Sequence, residues 1–512
     1  MNVKAAYFEQ VKGWFLKWPL HPLVQGGCGF FALLIIILGV FQRGPEVLKY
    51  PATFLLIYSL MLAVFWIGIS AVIEKFTWLH KPFVFPVAVT GLAFVPRYLW
   101  IRLVETTPMW DFARYYHYAI SIVNGNPEAI ADIRGVFPHL TGYPLILSYV
   151  FRFFGTEVAI ARWFNLICTL LTVLLVYQLG KVMFSPKAGR IAAIIVALWP
   201  GQIFYISVLA AEHLFTMQLL FVLLLFCYMV KGESSGKSFG WAVATGAMLT
   251  MAHIVRPVAS LLFPAFFLYL LMAPALKESV LPKETEGKPG CCNKKVLLRR
   301  ASLLAVIVLI FLGTLQGLNR IYEPQVQVPL GKTGAGFNLY VGTNKDSQGM
   351  WSAEDWEIIE EFHYDFDRIH QEAWNRGIER IQEDYTEFLL LAEQKFSIQW
   401  AVSEYGLYWG LLETDRVTAV SLWAEEYRQE LQIASQVFYL SLFWLILINT
   451  RKEIKKFQAT PADLIGILFF GFIAMHTLIE VQSRYHHSLI PLFILLAVGQ
   501  LKIEKIPSLK QK

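Results

Sequence analysis

Residues 208–230, VLAAEHLFTMQLLFVLLLFCYMV, decide the fold. Beyond Glu212 and His213 the stretch carries no charge, and its length matches the roughly 20 residues that a helix needs to cross bilayer hydrocarbon. Comparable blocks recur along the chain. They predict twelve spans, at about 25–41, 52–73, 83–102, 157–180, 191–206, 208–230, 240–255, 258–275, 301–319, 434–449, 461–480 and 486–501. Composition agrees, because only 16% of the 512 residues are charged and 56% are hydrophobic, whereas soluble domains carry about 25% charged residues. A soluble globule is excluded, and the expected fold is an all-α polytopic membrane protein.

The 44 Lys and Arg against 38 Asp and Glu give a formal charge of +6. These basic residues sit in short loops between apolar blocks, so they mark membrane topology and do not point to nucleic acid. Cys28, Cys168, Cys227, Cys291 and Cys292 lie in apolar segments or in one Lys-rich loop, without the spacing of a disulfide framework or a metal site. Met1 to Leu20 has neither a continuous apolar core nor a small-residue cleavage site, so no removable leader is expected.

Basic residues are retained on the cytoplasmic side during insertion. The enriched segments are the N-terminus, Lys181 to Arg190, Lys231 to Lys237, Lys277 to Arg300, Arg451 to Lys456, and the tail from Lys502. All of them fall inside when both termini are cytoplasmic. Two long outer loops remain, at 103–156 and 320–433. The chain therefore divides into an N-terminal segment with two additional helices (1–82), a membrane core containing the first outer loop (83–319), an outer loop domain (320–433), and C-terminal helices with a tail (434–512). Within the loops, Gly142 to Phe154 is apolar but short, which suits a re-entrant or interfacial helix. Ala373 to Trp400 has helical periodicity and reads either as one amphipathic helix on the membrane face or as part of a helical subdomain.

Ionisable residues at membrane level are costly, about 2.5–3.5 kcal/mol each at the bilayer centre, and are functional candidates for that reason. Four places qualify. Asp111 lies in WDFARYYHYA, where a helix would put Arg114, Tyr115 and Tyr118 on its face. It could serve as a general base or metal ligand, or it could cap an interfacial helix beside Arg114. Glu212-His213 opens the span quoted above and could equally be a pair facing water. Arg256, with His253 and Pro257, could hold a phosphate through paired hydrogen bonds or cap the preceding helix. The last place is QSRYHH at 482–487, with Arg484 and Tyr485; snorkelling accounts for Arg484 but less well for the cluster. Loop charges assign all four to the outer side, which suggests an outward site for an anionic lipid-linked substrate.

With these residues in view, the chain resembles polytopic GT-C glycosyltransferases of family 39, such as protein O-mannosyltransferases and aminoarabinose transferases. The resemblance rests on Asp111 with Tyr115 or Tyr116, Ala119 and Gly125, and on Pro138 and Gly142-Tyr143-Pro144 leading to Gly155. It continues through Glu212, Arg256-Pro257, Gly336 to Asn344 with Gly349-Met350-Trp351, and Arg484-Tyr485. It covers most of the chain from about residue 95, leaving the first two spans as an addition.

The resemblance implies a GT-C-like bundle of about 12 transmembrane helices. It implies transfer of a sugar, with inversion, from a polyprenyl-phosphate donor to an extracytoplasmic acceptor (glycan, lipid or protein). Asp111 would then be the base or the residue orienting the acceptor. Arg256 and Arg484 would stabilise the leaving phosphate, and Arg114, Tyr115, Tyr116, Glu212, Asn344 and Tyr485 would line the substrates. Many relatives have a second acid beside the first-loop aspartate, where this chain has Phe112. Use of a divalent cation is therefore left open, with Asp111 and Glu212 as candidate ligands. Gly336 to Trp351 could cover the substrate or form an ordinary turn, and Lys395 reads as a solvated helix face or a phosphate contact. A bacterial plasma membrane is the expected setting. The competing function is a flippase or exporter of lipid-linked sugars, which would place polar residues at midmembrane depth.

Overall fold

A computed structural model describes residues 20–41, 51–126, 136–232, 234–272, 294–456, 459–499 and 501. The chain is almost wholly helical. In order, its main helices are α1 (Leu20–Phe41), α2 (Ala52–Val72), α3 (Val84–Leu103), α4 (Trp110–Val123), α5 (Gly142–Phe154), α6 (Val158–Met183), α7 (Pro186–Ala197), α8 (Pro200–Tyr205), α9 (Ala211–Lys231) and α10 (Ser235–Val255). They continue with α11 (Leu262–Met272), α12 (Lys294–Val326), α13 (Ala335–Gly342), α14 (Phe366–Glu383), α15 (Tyr385–Trp400), α16 (Tyr405–Leu411), α17 (Arg428–Glu453), α18 (Pro461–Leu478) and α19 (Ile490–Gly499). Among the described residues, nine helices are long and apolar enough to cross a membrane: α1, α2, α3, α6, α9, α10, α12, α17 and α18.

The other three apolar blocks are shorter or interrupted helices, each for a local reason. The 191–206 block breaks between α7 and α8, ahead of Pro200. Prolines disfavour helix in the residue before them, and the freed carbonyls of Val196 and Ala197 accept hydrogen bonds from the fully buried Arg97 of α3, at 2.9 and 2.7 Å. Arg97 also donates to Gln202 Oε1 at 2.6 Å. The 258–275 block begins as a 3-10 turn at Pro257 and becomes α11. The last block winds as a 3-10 helix over Ser483–Leu489 before α19. That tighter winding places Arg484, His486 and His487 in the interior.

The span quoted first, α9, forms the centre of the bundle. Its apolar window is 78% buried, against 11% for the peripheral α12, and it packs on α6 and α10. The N-terminal helix α1 docks on α17 and α18. Buried His21 and Gln25 meet Asp463 there at 2.7 and 2.8 Å, so this early span is keyed into the C-terminal helices.

Outside the spans, the two long loops pack together. A two-stranded antiparallel ribbon pairs β1 (Glu105–Thr106) with β2 (Thr414–Arg416). Arg162 of α6 ties both ends, donating to Thr106 O and to Asp415. The segment Gly142 to Phe154 forms α5, and Gly142 lets it abut the end of α10, since a Cβ here would lie 1.8 Å from Ile254 O. Ala373 to Trp400 is not one helix. Asp384 ends α14 and caps α15, accepting from the backbone N–H groups of Thr386 and Glu387. A short acidic side chain bonds to its own following turn more readily than it continues a helix.

Candidate active site

Asp111 occupies the first turn of α4, where the helix dipole favours a carboxylate. The preceding Trp110 has φ +52°, a left-handed conformation that costs a non-glycine residue roughly 1–2 kcal/mol. Arg114, one turn on, donates to Oδ1 at 3.0 Å. Arg484 donates to Oδ2 at 3.3 Å from 373 residues away. Burial alone would push the Asp111 carboxyl up, but the Arg484 charge and then that of Arg114 outweigh it, leaving its pKa below the ordinary value. The acid is ionised at neutral pH.

Arg484 is held on every side. Its Nε donates to Gln482 Oε1 at 2.8 Å, and its guanidinium lies 5.1 Å from the Phe112 ring centre and 5.5 Å from that of Trp409. Phe112 thus supports the arginine that binds Asp111.

The second ion pair joins α9 to the end of α10. Arg256 Nη2 donates to Glu212 Oε1 at 2.6 Å. Glu212 is 2% exposed and His213 is fully buried, its Nε2 directed at Tyr205 O. The two do not face water, which removes the interfacial reading. Arg256 terminates α10, as the bland reading expected, and still exposes part of its guanidinium to a cavity. Gly142 and Ile254, in backbone contact immediately before it, set its position.

Two adjoining cavities meet here. One, of about 470 Å³, is lined by Asp111, Arg114, Tyr115, Arg256, Arg484 and Tyr485 together with aromatic rings. The other, of about 300 Å³, includes Glu212 and Arg256 and has a cluster of apolar side chains, Phe215, Val258, Phe472 and Met475, in its wall. Five residues line both: His139, Arg256, Asn338, Glu480 and Tyr485. The four sequence positions 111, 212, 256 and 484 therefore converge.

Three of those junction residues escaped sequence reasoning. Glu480 accepts from Tyr485 Oη at 2.9 Å and from Gln482 Nε2 at 3.1 Å, and burial raises its carboxyl pKa. Its backbone N–H donates to Asn338 O. Gly342 permits that closeness, since a Cβ there would meet Ile479 carbonyl carbon at 2.3 Å. His139, from the first outer loop, is pulled down to about 4 by burial, with the Arg256 charge adding to it, and is neutral. Glu480 stands two residues before the cluster at 482–487, and Asn338 lies within the Gly336 to Asn344 motif, so adjacency was the available signal. Nothing local marked His139.

Three expectations are corrected. Tyr116 lies outside both cavities, its hydroxyl donating to Thr156 O at 2.8 Å and its ring against Phe151; at one residue past Tyr115 it projects from another side of α4. Asn344 holds its own loop, donating to Asp355 at 3.1 Å and accepting from Asp346 N at 3.1 Å. Lys395 is neither solvated nor at the cavities. It is 1% exposed and donates to the carbonyls of Gly342 and Thr477 at 2.7 and 2.9 Å, and burial pulls its pKa down to about 7.

A divalent cation does not suit the two acids as they stand. Each carboxylate is already met by a guanidinium, and no group of three His, Cys, Asp or Glu with metal-binding geometry occurs among the described residues.

A model of the dolichyl-phosphate-mannose-protein mannosyltransferase family matches residues 139–284, which run from the junction residue His139 through α9 and Arg256. No curated protein matches the chain. Among solved structures, the oligosaccharyltransferase of Archaeoglobus fulgidus, determined with a tethered acceptor peptide containing the NVT sequon, aligns at 12% identity and a TM-score of 0.34. That alignment covers 83% of this chain and 56% of the archaeal one, so the chain spans little more than half its length.

Proposed function

We propose that this chain is a membrane glycosyltransferase of GT-C type that moves a sugar from a polyprenyl-phosphate donor to an acceptor hydroxyl on the extracytoplasmic face, with inversion at the anomeric carbon, a reading supported by the mannosyltransferase family match over residues 139–284. One observation carries the reading: a carboxylate and a guanidinium from different ion pairs face the same cavity. In the Asp111–Arg484 pair the acid is 30% exposed and the arginine 7%; in the Glu212–Arg256 pair the acid is 3% exposed and the arginine 23%. The cavity is thus offered one acceptor of protons and one anchor for phosphate.

In the transfer, the acceptor oxygen forms a new bond to the anomeric carbon as the carbon–oxygen bond to phosphate breaks. The bonding pair leaves on the phosphate, and the hydroxyl proton passes to Asp111 or is oriented by it. Phosphate is a good leaving group and needs charge stabilisation more than a proton. Arg256 supplies it, with Arg484 as the second cation. An aspartate held by two arginines is a weak base. A donor phosphate that draws Arg484 away would strengthen it at the moment of transfer. Tyr115, Tyr485 and Arg114 border the reacting groups, and the apolar cluster of Phe215, Val258, Phe472 and Met475 in the neighbouring cavity suits the first isoprene units.

This reading includes the cytoplasmic termini that the loop charges favour, and a bacterial plasma membrane as the setting. The exporter alternative separates from it cleanly. Purified protein in detergent micelles has no second compartment, so consumption of polyprenyl-phosphate sugar with release of polyprenyl phosphate and a new glycosidic bond is the expected result. An intact donor under the same conditions, with the acceptor extract present, would favour transport.

A further inference from the structure

The acceptor leaves its own mark on the larger cavity. Seven Trp and Tyr rings line it, and besides Tyr115 and Tyr485 they come from three outer segments: Trp110 at the start of α4, Trp351 and Trp356 in the second outer loop, and Tyr408 and Trp409 in α16. Trp110 is 63% exposed, Trp351 43% and Tyr408 38%. An indole gains more than most side chains from burial, so exposed rings gathered in a concavity indicate something that covers them. Trp110 is also kept there in a left-handed backbone conformation. Rings of a bilayer aromatic belt face outward to lipid headgroups, whereas these face a cavity whose polar lining includes Asp111, Asn338 and Gln482 beside the arginines already described.

That combination matches one acceptor chemistry. A pyranose presents a face of C–H groups that packs flat on an indole, and a rim of hydroxyls that bond to carboxylate and amide groups. A Ser or Thr side chain offers one hydroxyl and no flat face. An acyl chain would need a continuous apolar lining, which this cavity, with Asp111, Arg114, Arg256 and Arg484 in its wall, lacks. Resting on the glycosyltransferase reading above, we infer that the acceptor is a saccharide, its terminal ring covering Trp351 and Trp110 while one hydroxyl reaches Asp111. The chain then extends a glycan or decorates a glycolipid headgroup.

The test compares the glycans, glycolipids and proteins of native cells with those of cells lacking the gene, by mass spectrometry. Loss of one glycosyl residue from a glycan or a glycolipid sugar supports the inference. Loss from Ser, Thr or Asn of a protein, or from a non-sugar part of a lipid, overturns it and leaves the glycosyltransferase reading intact. No glycosyl loss in any fraction sinks the reading beneath it. With the acceptor so identified, purified Trp351→Ala should raise its KM by up to about tenfold, the size of one lost aromatic contact, without changing the KM for the lipid donor. Trp351→Phe should recover most of that loss. An equal rise in both KM values, or no rise in either, contradicts the assignment.

Discussion

The Asp111–Arg484 and Glu212–Arg256 pairs contain the same two groups and stand in opposite orientation. In the first, a buried arginine supports a carboxylate that looks into the cavity; in the second, a buried carboxylate supports an arginine that does. Burying one member of each pair costs desolvation that the partner must offset. In return each exposed member is fixed in place and in charge. An isolated acid and an isolated cation in a low-dielectric cleft would collapse onto each other; separate buried partners hold them apart.

The comparison can be broken most severely at Glu212. Glu212→Ala strands Arg256 beside an apolar pocket, and loss of one partner of a buried pair costs about 3–5 kcal/mol. Thermal unfolding of the detergent-solubilised protein should show a large loss of stability, and activity should fall with it. Arg256→Ala should be equally damaging, through the uncompensated Glu212. The informative variant is Glu212→Leu with Arg256→Met, which should recover much of the stability and none of the turnover. Recovery of both would mean that this pair is structural only.

A smaller effect is expected at Arg484. Its charge is the largest influence holding the Asp111 pKa down, so Arg484→Gln should raise that pKa. An activity that needs the ionised acid is then lost at higher pH on the acidic side, and the acidic limb of kcat/KM moves up. An unmoved limb would separate Asp111 from the titration that limits the rate. Glu480→Gln probes the opposite case. Its carboxyl is raised by burial, so if Glu480 titrates in the working range this variant should change the same limb without the large loss of turnover expected at Asp111.

Much of the membrane architecture was legible because apolar blocks and loop charges are local signals. Asp111, Glu212, Arg256 and Arg484 were legible as a group because each is an ionisable residue beside a span, and sidedness could be read independently. The pairing was not. Which acid meets which arginine depends on α9, α10 and the 3-10 winding after Gln482, all fixed by packing. Arg97 escaped notice inside α3, yet it caps the break between α7 and α8 that divides one expected span. His139 and Asn338 are unremarkable residues brought to the junction by loop packing. Lys395 was misread because helical periodicity does not reveal which polar residue finds carbonyl partners indoors.

The smallest expected effect concerns that lysine. Lys395→Met keeps the stem that packs on Gly349 but leaves the carbonyls of Gly342 and Thr477 without their donor. A stability loss of about 1–3 kcal/mol follows from unsatisfied buried acceptors, with the donor KM near its normal value. A change confined to donor KM would return Lys395 to the role of a phosphate contact.

The central claim is that the cavity-facing carboxylate of Asp111 handles the acceptor hydroxyl. Asp111→Asn preserves size while removing the charge and one of the two acceptor oxygens, and general base or orienting groups contribute about 10²–10⁴-fold. Single-turnover transfer by the purified variant, with donor binding measured alongside, should fall by about that factor while polyprenyl-phosphate sugar still binds. Wild-type transfer rates in a well-folded Asp111→Asn protein would contradict the account.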